Sequence, residues 1–116
     1  MTLEEKIERI NDWNDWSAKI IERNGDTIIC EFQKYSPCGQ DFFFNIWTDA
    51  DGSSLAHDIF DYYDNFDISS EAYLWLDDEG HGQNGAPYDM KDVYEDMEAC
   101  KDMVEELYVY VEKMKD

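Results

Sequence analysis

Thr27-Ile28-Ile29-Cys30-Glu31-Phe32-Gln33-Lys34-Tyr35, Ser36-Pro37-Cys38-Gly39-Gln40 and Asp41-Phe42-Phe43-Phe44-Asn45-Ile46-Trp47-Thr48 follow one another without a gap. The first run alternates, with Ile28, Cys30 and Phe32 on one face and Ile29, Glu31 and Gln33 on the other, which is the period of a half-buried strand. The last run is extended and rich in aromatics. Between them, a proline that fixes φ and a permissive glycine make a turn, so residues 27–48 read as a β-hairpin. A lone hairpin is marginal in water, and its apolar face has to be covered by helices from the flanking sequence.

The flanks supply them. Leu3, Ile7, Ile10, Trp13, Trp16 and Ile20 recur at steps of three and four, which predicts an amphipathic helix over residues 3–22, ended by Asn24-Gly25. Thr2 and Glu5 fit a capping box at its start, and Glu4, Glu5 and Glu8 suit the positive end of the helix dipole. After the hairpin, Asp51-Gly52-Ser53-Ser54 opens a short helix reaching about residue 66, with Leu55, Ile59, Tyr62 or Tyr63, and Phe66 on its apolar face. Residues 70–76 alternate in a way that also suits a strand, but Glu71, Ala72 and Leu74 favour helix and Gly80 sits where a helix stops. Residues 78–87 are a glycine-rich polar loop.

Met90, Val93, Met97, Cys100, Val104, Leu107, Val111 and Met114 then mark a long helix over residues 89–113. Its apolar face, widened by Tyr94, Met103, Tyr108 and Tyr110, is broader than a coiled-coil seam and reads as a core stripe lying on the hairpin. The expected fold is a single α+β domain: N-terminal helix, hairpin, two short helices and a long C-terminal helix packed on the hairpin. With 116 residues the chain buries about two-thirds of its unfolded surface. Its 16% aromatic content separates it from disordered acidic tails.

Charge is the second strong signal. The formal net charge is −20, and from Tyr35 to Met90 there is no lysine or arginine. That stretch holds twelve acids: Asp41, Asp49, Asp51, Asp58, Asp61, Asp64, Asp67, Glu71, Asp77, Asp78, Glu79 and Asp89. Such a surface repels nucleic acid and anionic membranes and attracts a basic groove. Asp58, Asp61 and Asp64 step by three along the expected helix, each about 4.5 Å farther along the axis, against roughly 3.4 Å between phosphates of one DNA strand. The residues expected to bind a partner are Asp49, Asp51, Asp58, Asp61, Asp64, Asp67, Asp77, Asp78 and Glu79. The expected partner is a basic nucleic-acid-binding protein.

Catalytic and cofactor signatures are weak. Asp49-Ala50-Asp51-Gly52 imitates part of a calcium loop, but with Gly52 at the sixth position Trp47 falls on the first ligand and Asp58 on the twelfth, where a glutamate is usual. His57 and His81 match no zinc spacing. Cys38 near Lys34 lacks any recognisable oxyanion site, so an enzyme using His57 or Cys38 is the least favoured class. Gly80-His81-Gly82-Gln83-Asn84-Gly85 lacks the lysine of a phosphate loop and follows Asp77-Asp78-Glu79, which repel phosphate. No enzyme activity, metal or cofactor is expected. The odd cysteines Cys30, Cys38 and Cys100, with no CxxC spacing and no long apolar run, point to a reduced cytoplasmic setting.

Three fragments together, Tyr35-Ser36-Pro37-Cys38-Gly39-Gln40-Asp41-Phe42, then Phe66-Asp67 with Glu71-Ala72-Tyr73-Leu74-Trp75-Leu76, then Gly85-Ala86-Pro87-Tyr88-Asp89-Met90 with Glu95-Asp96-Met97-Glu98-Ala99, resemble small acidic hypothetical proteins carried by bacterial mobile elements and prophages. The resemblance spans about residues 27–113 and carries over no catalytic or binding residue. It implies an accessory protein, a class in which antirestriction and anti-CRISPR inhibitors are often acidic nucleic-acid mimics. Ile46-Trp47-Thr48-Asp49 before a short helix also resembles the antirestriction DNA mimics over a very short span. The competing expectation is an adaptor or homodimer built on aromatic and methionine surface, with acidity serving solubility.

Overall fold

The computed structural model describes residues 1–74 and 89–114. Its elements are α1 (Leu3–Asn11), β1 (Ser17–Asn24), β2 (Thr27–Tyr35), β3 (Asp41–Asp49), α2 (Leu55–Asp64), α3 (Ile68–Leu74) and α4 (Met90–Glu112). The fold is α+β: a three-stranded antiparallel sheet in the order β1-β2-β3, with the long C-terminal helix packed on it. The expected hairpin is present as β2 and β3, paired from Thr27 opposite Asp49 to Tyr35 opposite Asp41.

The expected helix over residues 3–22 is only half right. Its start is as read: Thr2 Oγ1 accepts from the Glu5 N–H at 3.1 Å and Glu5 Oε1 accepts from the Thr2 N–H at 3.2 Å. It stops at Asn11, whose side-chain amide bonds the backbone of Ala18 in both directions at 2.7 Å and replaces the next helical turn with a strand contact. Asn14 and Asp15 then adopt positive φ of 52° and 64°, a left-handed reversal that asparagine and aspartate tolerate. Trp16 and Ile20 therefore belong to the sheet region. Asn24-Gly25, expected as a helix stop, leads instead into the two-residue β1–β2 turn, with Gly25 at φ +66°.

One face of the sheet carries Ala18, Ile28, Cys30, Phe32, Phe42, Phe44 and Ile46, all in the core cluster. Against it lies the α4 stripe Val93, Met97, Cys100, Met103, Val104, Leu107 and Val111. Val104 and Leu107 are fully buried within this one chain, so the stripe serves the fold rather than a coiled-coil seam. Aromatic contacts tie the layers together: Phe44 stacks on Tyr62 of α2 at 4.2 Å, and Trp13 stacks on Tyr110 of α4 at 4.0 Å.

Two clips hold the connecting turns. The β2–β3 turn is fastened to α4 by Asp96, a carboxylate only 3% exposed that accepts from Ser36 Oγ at 2.5 Å, from the Cys38 N–H at 3.1 Å and from Gln40 Nε2 at 3.1 Å. The β3–α2 turn is fastened to α1 by Lys6, whose buried ammonium donates to the Gly52 carbonyl at 2.8 Å. Gly52 has φ +79°, and a Cβ there would lie 2.9 Å from the Leu3 Cα, so glycine is required twice over.

Of the short helices, α2 starts later than expected because Asp51 accepts from the Ser53 N–H and hydroxyl and holds 51–53 as a turn. It ends at Asp64, while Phe66 beyond it is still buried in the core. α3 is a helix from Ile68 to Leu74, the alternative favoured for that segment. The rest of residues 70–76 and the expected glycine-rich loop lie outside the described residues.

Candidate interaction surface

Five of the acids singled out by sequence fall in two zones, Asp49 and Asp51 before α2 and Asp58, Asp61 and Asp64 along it. At the sheet end, Asp49 closes β3 on the outer face and Asp51 sits in the turn after it. With Asp26 of the β1–β2 turn and Ala50 they line an open depression of about 240 Å³. Hydrogen bonds from the Ser53 backbone and side chain hold the Asp51 carboxyl below the usual carboxylate range.

The second zone is the seam between α2 and α4. Asp58 is half-buried and accepts from Ser54 Oγ at 2.8 Å, so it serves the start of its own helix. Asp61 lies 3.3 Å from His57 Nε2 one turn earlier. Asp64, at the end of α2, stands beside Tyr63, whose hydroxyl donates to Glu105 Oε2 of α4 at 2.6 Å. The phenol is pushed above its ordinary value first by that hydrogen bond, then by burial and by the charges of Glu105, Asp102 and Asp64. Glu105 of α4 thus touches a ring carried by α2, and the charges of Asp64 and Asp102 act on that ring from both helices. Lys101 Nζ, 5.1 Å from the ring centroid, is the base that approaches it.

The expected row of Asp58, Asp61 and Asp64 is on one helix, but its members have unequal roles. Asp67 is occupied differently again, accepting from the Ser70 N–H at 3.2 Å at the start of α3. Asp77, Asp78 and Glu79 lie outside the described residues. Asp102 and Glu105 were not among the residues expected to bind a partner, because they lie beyond the base-free stretch. The signal for them was Tyr63, which the 3.6-residue period aims at the α4 side.

Cys38 is exposed, but burial, Asp96, Asp92 and Glu95 all push its thiol up, which opposes formation of a nucleophilic thiolate. His57 is exposed and paired with Asp61. Asp49, Asp51 and Asp58 do not converge as a calcium loop would require, and among the described residues no group of three or more His, Cys, Asp or Glu is placed to hold a metal ion. Among the described residues no helix is long and apolar enough to cross a membrane. No family model, curated protein or solved structure matches this chain.

Proposed function

We propose that the chain is a non-enzymatic interaction protein whose α2–α4 acidic seam occupies the basic groove of a nucleic-acid-binding protein, in the manner of a nucleic-acid mimic that inhibits a host defence nuclease. The observation that carries this reading is the Tyr63–Glu105 hydrogen bond, which joins α2 to α4 beside exposed carboxylates of both helices, Asp61 and Asp64 on one and Asp102 on the other. A solubilising surface has no need to bring like charges from two helices together, because each added carboxylate raises the repulsion felt by the others. A basic groove relieves that repulsion and gains from its prior arrangement. Carboxylates stepping about 4.5 Å along a helix also approximate the charge density such a groove meets on a DNA strand.

The test is capture of partners from a bacterial lysate on immobilised protein, at low and at high salt, with and without competing duplex DNA. The expected result is retention of nucleic-acid-binding proteins that DNA displaces and salt releases. Asp61→Asn, Asp64→Asn, Asp102→Asn and Glu105→Gln combined should abolish the retention. Binding that ignores salt and DNA, or that survives the fourfold substitution, overturns the proposal.

A further inference from the structure

The outer face of the sheet, remote in chemistry from the α2–α4 seam, carries its own apolar cluster. Trp47 of β3 is 62% exposed and sits directly across from Ile29 of β2. On the other side of Ile29 the β1 ladder slips between Ile20 and Glu22, so that Ile21 and Glu22 together oppose this one residue. Ile21 is 43% exposed. Ile29 is buried between these neighbours yet does not belong to the main core cluster, so the row Ile21–Ile29–Trp47 is a separate apolar island facing water. Tryptophan is among the residues enriched at the energetic centres of protein interfaces.

The charges around the island specify its occupant. The two bases of β1 are engaged: Lys19 lies 3.6 Å from Glu31, and Arg23 lies 3.0 Å from Glu4. Among the described residues no base pairs with Glu22, Asp26 or Asp49. Asp49 follows Trp47 by two residues on the same face, about 7 Å along the strand, and opens onto the depression it shares with Asp26 and Asp51. Lys6 beneath the turn acts on Asp51 and offsets part of this charge. A second copy of the chain, at −20, would bring the same acids against themselves, so the complementary surface is basic.

We propose that this end of the outer sheet face docks an extended basic segment of a partner protein, with an apolar side chain covering Trp47 and Ile21 and an arginine or lysine two positions along reaching Asp26, Asp49 and Asp51. The two-residue spacing of an extended segment, also about 7 Å, matches the step from Trp47 to Asp49. The cation gains from Asp26 and Asp49, which have no ion-pair partner among the described residues, and its aliphatic stem adds contact with the indole.

The test uses the full chain, labelled with nitrogen-15, and three acetylated hexapeptides that alternate leucine with arginine, leucine with glutamate, and serine with arginine. The leucine–arginine peptide should shift the Trp47 indole signal and the amides of Ile29 and Asp49, and the other two should not. Trp47→Ser should weaken the binding by about tenfold or more. Ile21→Lys, a second exposed position, and Asp26→Asn combined with Asp49→Asn should each weaken it by about threefold or more. The fourfold substitution of the α2–α4 seam should leave it unchanged, which separates this site from the mimic surface. Absence of any shift at about 1 mM leucine–arginine peptide overturns the proposal. So does equal binding of either control peptide, indifference to both Trp47→Ser and Ile21→Lys, or a dimer in sedimentation that Trp47→Ser dissolves.

Discussion

Asp96 under the β2–β3 turn and the trio Asp64, Asp102 and Glu105 on the α2–α4 seam are the same chemical group in opposite settings. Asp96 is buried with three donors aimed at it, two from side chains and one from the backbone, and these donors lie 56 to 60 residues away in sequence. The seam acids are exposed, and Tyr63 provides a single hydroxyl to one of them. Where donors converge, a carboxylate defines the conformation of a turn. Where other carboxylates lie close by, it stores repulsion that a cationic partner relieves. In a chain with 29 acids, spacing along the sequence does not separate these roles; burial and donors do.

The comparison is tested most strongly by removing the buried member. Asp96→Ala leaves Ser36, the Cys38 N–H and Gln40 without their acceptor in a closed site, and should cost about 3 kcal/mol. Asp96→Asn retains one acceptor but turns a donor toward other donors, and should cost about 2 kcal/mol. Both are read from the midpoint of denaturant unfolding at constant slope. A loss below about 1 kcal/mol for alanine would mean that the turn is held by its own bonds, Ser36 N–H to Gln40 O at 2.8 Å and Gly39 N–H to Ser36 O at 2.9 Å, and that Asp96 is incidental.

The same exchange of oxygen for amide on the seam should have the opposite sign. Asp64→Asn with Asp102→Asn removes two like charges that hold no turn or cap together among the described residues, so thermal stability should stay level or rise by up to about 0.5 kcal/mol. Added salt should raise the melting temperature of the parent chain more than that of the double variant, because screening replaces what the substitution has already done. A destabilised double variant would show that these acids have structural donors after all. It would remove the contrast with Asp96.

The legibility of the molecule follows the same division. The hairpin, the capping box and α4 were readable because each depends on local period or on partners three and four residues away: Thr2 with Glu5, or Val93 with Met97 and Cys100. β1 was missed because Leu3 to Ile20 keep a helical recurrence across a real break. The cue was the cluster Asn11, Asp12, Asn14 and Asp15, which favours left-handed turns, and the bulge at Ile21 blurs the alternation that would have marked a strand. The site was legible as chemistry and not as geometry. Asp58, Asp61 and Asp64 looked equivalent along one helix, but Ser54 takes Asp58 and His57 takes Asp61, leaving Asp64 to meet α4. Asp96 could have been noticed as a carboxylate inside an apolar stripe; its donors could not.

The smallest effect is also the most direct probe of the seam. Tyr63 carries a phenol held above its ordinary value by Glu105, with Asp102 and Asp64 adding to it. Its raised folded value favours the neutral phenol, so its contribution to stability is complete below the unfolded value near 10 and is lost as pH rises through the folded value. Tyr63→Phe should therefore make the decline of stability above about pH 10 slightly shallower, without abolishing it. Burial also pushes up the thiols of Cys30 and Cys100 and the phenol of Tyr62, and these add to the alkaline slope that remains. Ultraviolet titration of the parent minus Tyr63→Phe isolates the Tyr63 transition, and in the background Asp64→Asn, Asp102→Asn and Glu105→Gln that transition should move down toward 10. An unmoved transition would mean that the three carboxylates do not share a field at this ring, and the case for a preassembled acidic seam would lose its central measurement.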